Sequence, residues 1–503
     1  MSTAAVPAPG EEWRKLDRRT LLVTTAVMSS VATGAGVPTV VGLSGGMGVW
    51  RALAWVLPAA LLLIVCGTGA DYVRWRRTRY RIGPDRAELH TGLLLVKRRS
   101  LGRERIRTVD LTANLLLRIL GLVKVRIGTG EQTGGESTLE LDPVTQAEGE
   151  RLRTELLDRT SSASESHPDG MLAVLDPGWI RYAPVSFVAP LLGGAAAGGV
   201  MQVSEWFGVQ NEVIDWIGDR FRDTSVLMIV VVLFAAALLA GIVGSLGLWV
   251  EMWWNYRLER EPGGTLRVRR GLLTSRSVSI EERRLRGVEL VEPLGVRLVG
   301  AARVDAVATG IAQDDEDKHT DLKTLLPAAP KATADEVAAR VLRETVSPTR
   351  ATGLVPHPVA ARGRRLRWAV GSALVPVLVL VILGVLVSDT LLPIAAGCAA
   401  VLLPVAVLLA LDAYRNLGHG LSGGYLVARS GTVRRSTVAL QRGGVVGWTV
   451  KQSYFQRRAG LVTLLATTAA GEGAYAVHDV GVGEGLAFAA EAVPGLLEPF
   501  LER

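Results

Sequence analysis

The chain is poor in the residues that build disulfide frameworks and catalytic centres. Only two cysteines, Cys66 and Cys398, occur among its 503 residues, and both lie inside apolar segments. A thiol in apolar surroundings resists ionisation, so this usage excludes a disulfide-rich secreted fold and argues against a redox site. The six histidines are scattered without metal-ligand spacing. We therefore predict no metal site.

Phosphate-binding and hydrolase motifs are lacking as well. No glycine-rich loop ends in Gly-Lys-Ser or Gly-Lys-Thr, so no P-loop is predicted. Gly-x-Ser-x-Gly occurs around Ser44 and Ser422, but neither match has the strand-to-helix context and histidine partner of a nucleophile elbow. We interpret both as flexible connectors. The sequence thus predicts a protein that is not an enzyme and has no cofactor.

Charge is missing from long stretches, although 21% of the residues are charged. Each such stretch, charge-free apart from Arg51, is close to the roughly 20 residues that an apolar helix needs to cross a bilayer. These predicted spans are Leu21–Leu43, Val49–Ala70, Pro184–Val203, Val226–Val250, Val370–Val387 and Leu391–Leu411. We therefore predict a multi-pass protein of a bacterial cell membrane, with six transmembrane helices in three hairpins.

Arginine clusters flank the predicted spans on one side only. They lie at Arg14–Arg19, Arg74–Arg79 and Arg362–Arg367, whereas the connections Ser44–Gly48 and Ser388–Thr390 contain no lysine or arginine. Basic flanks of membrane helices stay in the cytoplasm. We therefore expect both termini, and the segments between the hairpins, to be cytoplasmic.

A unit that follows each hairpin is repeated three times. A shift of about 180 residues, and then one of about 160, superimposes its shared positions. In order, these are Gly92, Ile106, Val109, Leu111, Arg118 and Gly121; then Gly271, Leu285, Val288, Leu290, Arg297 and Gly300; then Gly431, Val445, Trp448, Val450, Arg457 and Gly460.

Each copy alternates in polarity around Gly/Pro turns, which is typical of strands. Each copy ends in a helical pattern, at Ala147–Leu157, Ala334–Leu342 and Leu486–Leu501. We expect each to be a small antiparallel β-barrel or sandwich closed by its C-terminal helix. The predicted boundaries are 1–70 (arm and hairpin 1), 71–160 (domain 1), 161–178 (linker), 179–252 (hairpin 2), 253–345 (domain 2), 346–366 (linker), 367–412 (hairpin 3) and 413–503 (domain 3).

Several segments of the first copy carry a resemblance to a known family. They are Tyr80-Arg81-Ile82, Gly92-Leu93-Leu94, Glu104–Val109 and Leu115–Leu122. These segments resemble bacterial pleckstrin-homology-like (PH-like) membrane proteins of the YdbT type, and the resemblance covers essentially the whole chain. It implies a PH-like fold for each copy and, in some members, a shorter single-domain YdbS-like membrane partner. The third copy departs from the pattern, with Gly444 in place of Arg105.

Two sets of cations are candidate ligand or lipid contacts. One is the repeated arginine, Arg118, Arg297 and Arg457, and the other follows the shared glycine: Lys97, Arg98, Arg99, Arg276, Arg434 and Arg435. A guanidinium suits an anionic headgroup or carboxylate, and cations near an anionic inner leaflet attract lipid. The alternative is structural: arginines that cover apolar neighbours and bond local carbonyls, in a module that is basic because it lies beside a membrane.

Two functions fit these observations. The leading hypothesis is a non-enzymatic membrane protein whose three cytoplasmic PH-like modules bind a protein, a peptide or a lipid headgroup, with a role in envelope stress or protection; no nucleic-acid partner is expected. The alternative is a transporter or translocator of lipid or peptide that uses the six helices. Transporters usually place ionisable groups within their spans, and these spans hold almost none.

Overall fold

A computed structural model describes residues 13–92, 97–106, 108–128, 138–157, 170–185, 188–220, 222, 224–309, 323–350 and 353–497. Leu93, Leu94, Arg107 and Leu501, which belong to segments quoted above, lie outside these residues. The described chain forms two compact units, one ending at Glu281 and the other beginning at Glu282. The boundary therefore falls inside the second copy of the repeat.

The first unit contains seven α-helices in its described part. They are α1 (Thr20–Met47), α2 (Val49–Arg77), α3 (Leu115–Ile119), α4 (Gln146–Leu157), α5 (Val188–Trp206), α6 (Gln210–Arg220) and α7 (Val226–Trp253). Helices α1 and α2 pack together as one hairpin, and α5 packs against α7 as another. The second hairpin depends on glycine, because a Cβ at Gly193 would lie 2.1 Å from the Ala237 carbonyl oxygen.

The strands of the first unit form two antiparallel sheets. They are β1 (Arg14–Lys15), β2 (Arg79–Ile82), β3 (Arg86–Thr91), β4 (Lys97–Gly102), β5 (Thr108–Ala113), β6 (Leu122–Gly128), β7 (Thr138–Thr145), β8 (Gly170–Val174), β9 (Arg257–Glu261), β10 (Thr265–Arg270) and β11 (Ser275–Glu281). One sheet has the order β1-β2-β3-β4, and the other has the order β7-β6-β5-β11-β10-β9-β8. Helix α4 packs on β5, β6 and β7.

The second unit repeats this organisation. Its described helices are α8 (Leu294–Leu298), α9 (Lys331–Leu342), α10 (Val359–Leu386), α11 (Leu391–Arg415), α12 (Tyr454–Arg458) and α13 (Val482–Ala492). Its strands are β12 (Leu285–Pro293), β13 (Ala301–Ala308), β14 (Thr324–Pro330), β15 (Gly418–Ser422), β16 (Tyr425–Ser430), β17 (Arg434–Gln441), β18 (Val445–Lys451), β19 (Leu461–Thr468) and β20 (Ala474–Gly481). The sheets have the orders β14-β13-β12-β17-β16-β15 and β18-β19-β20.

The number of predicted spans needs a correction. Among the described residues, five helices rather than six are long and apolar enough to cross a membrane: α1, α2, α7, α10 and α11. The predicted span Pro184–Val203 corresponds to α5, which has 19 residues, four of them glycine, and ends in the polar segment Gln202–Glu205. Glycine adds little apolar surface, so α5 falls short although it pairs with α7.

The prediction of a closed barrel is also wrong. All four sheets are open, and two of them run from one copy of the repeat into the next. Strand β5 of the first copy pairs with β11 of the second, and β12 of the second pairs with β17 of the third. Strands β5 and β12, which would have been edges of separate sheets, are each paired with a strand of the following copy.

We call the β5–β11 pairing the first junction and the β12–β17 pairing the second junction. The first pairs Thr112 with Arg276, Leu111 with Ser277 and Thr108 with Ile280. The second pairs Val291 with Ser436, Leu290 with Thr437 and Gly287 with Leu440. Each pair of the first junction maps onto one of the second under the shifts of the repeat, so the two junctions have the same register.

The shared glycines explain part of the sequence pattern. Gly271 and Gly431 have φ of +114° and +100°, and a Cβ there would lie 1.9 and 2.0 Å from the carbonyl oxygens of Thr274 and Arg434. Only glycine fits such a turn without strain. This tight turn delivers β11 and β17 to their junctions.

Candidate anion-binding cavity beside the first hairpin

The basic end of α2 leads directly into the first sheet. Arg74, Arg76 and Arg77 occupy the last turn of the helix, where cations interact favourably with the helix dipole. Thr78 ends the helix in an extended conformation, and its hydroxyl donates a hydrogen bond of 2.8 Å to the Arg74 carbonyl oxygen. Strand β2 begins at the next residue. The arginines are therefore carried from the membrane helix onto the sheet without a linker.

A row of basic side chains crosses this sheet. Arg79 of β2 lies opposite His90 of β3, which in turn lies opposite Arg98 of β4. Neighbouring strands lie about 4.8 Å apart, so Arg79 and Arg98 stand on the same face of the sheet, one on each side of His90. Arg79 and Arg98 are exposed. This row concentrates positive charge that a bound anion would compensate.

The row forms one wall of a cavity of about 640 Å³ at the end of α2. Its described lining residues are Tyr72, Val73, Arg76, Arg77, Arg79, His90, Thr91, Gly92 and Arg98. Four of these nine residues are arginines, and no carboxylate is among them. The cavity thus has the donors and charge that a phosphate or carboxylate group requires.

The acidic residues near the cavity are already engaged. Glu88 accepts a hydrogen bond of 2.7 Å from Arg81, and Asp71 accepts one of 2.6 Å from the Thr24 hydroxyl. Trp13 packs on His90 with ring centroids 4.3 Å apart. Asp71 also lies 3.9 Å from Arg74, so both carboxylates have basic partners outside the cavity lining, and the four arginines of the lining make the cavity positively charged.

A second cavity adjoins the first and has a different character. Its volume is about 600 Å³, it shares Thr91 and Gly92 with the basic cavity, and it extends between α1 and α2. Val23, Val27, Met28 and Ala70 supply apolar walls, and Asp71 and Arg74 lie at its polar end. A basic cavity that continues into an apolar groove along membrane helices matches the shape of a lipid with an anionic headgroup.

The other predicted cations after the shared glycine have different surroundings. Arg99 lies beside Arg98 in β4, and its side chain is not free of partners. For Lys97 the structure describes the backbone but not the side chain. Arg276 lies in the first junction. Arg434 and Arg435 lie in the second junction and form ion pairs with Glu289 at 3.2 Å and Glu292 at 2.6 Å.

The repeated arginine occupies the same position in each copy but has different partners. Arg118 Nη1 donates to the Leu272 carbonyl oxygen at 2.5 Å, and Arg297 Nη2 donates to an Asp412 carboxylate oxygen at 2.8 Å. Arg457 is exposed, and its side chain has no ion pair or hydrogen bond among the described residues. The first two arginines therefore brace the short helices α3 and α8 against a turn or a membrane helix.

A buried charge network at the first junction was missed by the sequence reasoning. Arg267 of β10 is 2% exposed and donates to Glu150 of α4 at 2.5 Å and to Glu261 of β9 at 3.0 Å. Arg153 of α4 donates to the same Glu261 at 2.7 Å. Burial acts to raise the pKa of Glu261, but hydrogen bonds from Arg153 and the nearby Arg267 lower it overall. The network ties the terminal helix of the first copy to the strands of the second.

A second missed cluster lies between the third hairpin and the third copy. His419 Nδ1 and His357 Nε2 are 3.0 Å apart, and the nearby Asp479, 1% exposed, accepts from Arg364 at 2.7 Å. Burial first, and then His357, lower the pKa of His419 to about 4. Among the described residues no group of three histidine, cysteine or acidic side chains is arranged to hold a metal ion. The cluster therefore works by packing and hydrogen bonding.

The comparisons with known proteins agree with this architecture. A family model described as "Bacterial PH domain" matches residues 37–160 and 373–490, each match spanning membrane-helix and sheet segments. The chain is also similar to the transmembrane protein YdbT of Bacillus subtilis (strain 168), with 23% identity over 424 residues that cover 80% of this chain and 82% of YdbT. No solved structure matches. The resemblance predicted from the sequence is confirmed.

Proposed function

We propose that this YdbT-like membrane protein is a non-enzymatic lipid sensor or tether, whose first PH-like module binds an anionic lipid headgroup at the inner leaflet. The predicted roles in envelope stress or protection are compatible with such a protein. Neither the matched family nor the description of YdbT favours transport over binding.

The observation that supports this proposal is the row Arg79, His90 and Arg98 in a cavity whose described lining residues include four arginines and no carboxylate. Arginines that line one cavity repel one another, and a bound anion would offset that repulsion. Each exposed cation near an anionic surface contributes about 1 kcal/mol of attraction. The adjoining apolar groove between α1 and α2 favours a lipid over free phosphate, because it offers a place for an acyl chain.

Native mass spectrometry of the full chain in detergent, with dioleoylphosphatidylglycerol as the probe, tests the proposal. Arg79→Gln combined with Arg98→Gln removes two cations, so the apparent lipid affinity should fall about 30-fold, on the scale of about 1 kcal/mol for each cation. The matched control is Arg86→Gln, an exposed arginine in the same sheet that does not line the cavity.

Each outcome of this experiment decides the proposal. Unchanged lipid adducts in the double variant would overturn it. Equal binding of inorganic phosphate and of the lipid would reassign the cavity to a soluble anion.

The proposal also requires the modules to be cytoplasmic. In a cysteine-free background, Arg86→Cys should stay unlabelled by an impermeant maleimide in intact cells, whereas Ser388→Cys in the opposite connection should be labelled. Labelling of Arg86→Cys but not of Ser388→Cys would place the cavity outside the cell. The cavity could then not bind a lipid of the inner leaflet.

A further inference from the structure

Strand β18 of the third copy occupies the position of β5 and β12 in the first two copies. Both β5 and β12 are covered by a strand of the following copy, as the two junctions show. Among the described residues β18 pairs only with β19 and lies at the edge of its sheet. The third copy therefore presents the same type of edge, and no other strand of the described chain covers it.

Burial at one repeated position shows the difference. Leu111 is 6% exposed and Leu290 is 1% exposed in the covered strands, whereas the equivalent Val450 is 49% exposed. Val446 of the same strand is 67% exposed. An edge strand with exposed apolar residues is a template for pairing with another chain.

The neighbouring helix is uncovered in the same way. Tyr454 and Phe455 of α12 are 64% and 55% exposed. Arg457, in the same helix, has among the described residues no counterpart to the carbonyl that binds Arg118 or the carboxylate that binds Arg297. The strand, two aromatic side chains and a free guanidinium thus form one docking edge, β18 with α12.

The charges of this edge disfavour a second copy of the chain. In a second copy of the chain, the strand equivalent to β11 and β17 would be β4, and the shared register would place its Lys97 opposite Lys451, Arg98 opposite Val450 and Arg99 opposite Thr449. In the second junction, Glu289 and Glu292 neutralise the arginines of the incoming strand. The equivalent positions next to β18 are Thr449 and Gln452, so a basic strand finds no acid there.

We infer that this docking edge receives, from a PH-like module on a separate polypeptide, the strand equivalent to β11 and β17, antiparallel to β18 and in the register of the two junctions. That strand must lack the cations of β4, and a carboxylate beside it would bind Arg457 as Asp412 binds Arg297. The inference does not depend on the lipid site proposed above.

The test uses a probe made from the full chain itself. In a tagged copy, Lys97→Ser and Arg98→Thr introduce the residues that β17 carries at the same positions, and Arg99→Cys supplies a thiol. This probe is reconstituted in one vesicle population with a copy that carries Thr449→Cys, both without Cys66 and Cys398. Disulfides between this probe and the Thr449→Cys copy should form at least fivefold faster than with a control probe. In the control the cysteine is placed two residues from position 99, so that it is out of register with Thr449→Cys.

Two further variants make every result decisive. Val446→Lys with Val450→Lys changes only exposed side chains and should abolish the crosslink, since edge lysines block strand pairing. Absence of the crosslink with the unblocked probe would overturn the docking edge. Equally fast crosslinking when Lys97 and Arg98 are retained would overturn the separate partner and make a second copy the occupant.

Discussion

The first and second junctions share a strand register but are held together by different charges. At the first, Arg267 and Arg153 bind Glu150 and Glu261, linking α4 of one copy to β9 and β10 of the next. At the second, Arg434 and Arg435 bind acids of the strand that they pair with. The backbone arrangement is thus a property of the repeat, whereas the ion pairs are specific to each junction.

This difference indicates how one repeat can build distinct contacts. Backbone hydrogen bonds do not distinguish one strand from another, so the common register alone would allow any copy to pair with any other. Charges that differ between junctions supply the discrimination, because an unpaired buried charge costs several kcal/mol.

Breaking the ion pair of Arg435 should have the largest effect. Its partner Glu292 has a side chain only 2% exposed, so Arg435→Ala removes the ion pair at 2.6 Å and leaves the buried carboxylate with the longer contact to Lys331 at 3.5 Å and the nearby charge of Arg429. We expect a loss of about 3 kcal/mol in the opening free energy of β12 and β17, measured by hydrogen exchange in nanodiscs. The control Arg434→Ala should cost about 1 kcal/mol, because that side chain is 48% exposed and the Ser436 hydroxyl still donates to the buried Glu289 at 2.8 Å. Equal losses would contradict the role of burial.

Removing Arg267 should be slightly less damaging. Arg267→Met leaves Arg153 bound to both Glu150 and Glu261, so we expect a loss of about 2 kcal/mol in the opening free energy of β9 to β11. Arg269→Met, an exposed arginine of the same strand, serves as the control and should change little. Loss confined to α4, with β10 unaffected, would show that the network does not support the junction.

Acid should change the two units in opposite directions. Burial raises the pKa of Asp110 in the first unit to about 7, although Arg126 opposes this, while the pKa of His419 in the second unit is lowered to about 4. The native state of the first unit therefore binds a proton more tightly than the unfolded chain, and that of the second unit binds one less tightly. Between pH 7 and pH 5, Asp110 should stabilise the first unit by about 2 kcal/mol and His419 should destabilise the second by about 2 kcal/mol.

Hydrogen exchange at pH 7 and pH 5, corrected for the intrinsic rates, measures both effects. Asp110→Asn should remove the gain around β5, and His419→Gln should remove the loss around β15. Glu289 of the second unit, whose pKa is raised by burial and by Asp305, works against His419. A change of the same sign in both units, or no response to the two variants, would refute this account.

The smallest effect concerns the repeated arginine. Arg297→Ala removes a partly exposed ion pair with Asp412 and should cost about 1 kcal/mol around α8. Arg457→Ala should stay within about 0.5 kcal/mol, because the side chain is exposed and has no partner among the described residues. A larger loss from Arg457→Ala would mean that its helix is already docked to something in the sample.

The predicted hairpins illustrate what apolar patterning can reveal. The runs Leu21–Leu43 and Val49–Ala70 correspond to α1 and α2, which begin within a residue of them and extend beyond their ends. A continuous apolar run can cross a bilayer only as a helix, so the residues of the run are enough to predict its structure. The predicted number of spans was wrong at α5. Many of its residues are small, so its apolar pattern is weak, and its place in the hairpin depends on packing against α7.

The candidate site was only partly accessible from the sequence. Arg98 was singled out, but His90, Arg76 and Arg79 were not, because their proximity depends on how β2, β3 and β4 pair. The ion pairs of Glu289 and Glu292 could not be predicted from the sequence either, because nothing in their own segment indicates that a strand about 145 residues later lies beside them.

The sequence by itself determined that this protein crosses a membrane in hairpins and repeats one strand-rich unit three times, because apolar length and a fixed repeat are local properties of the chain. Only the tertiary structure decided that the copies join edge to edge instead of closing into separate barrels. A strand offers the same backbone hydrogen bonds to every neighbour, so the choice of partner depends on which edges the fold brings together and on the charges that meet there.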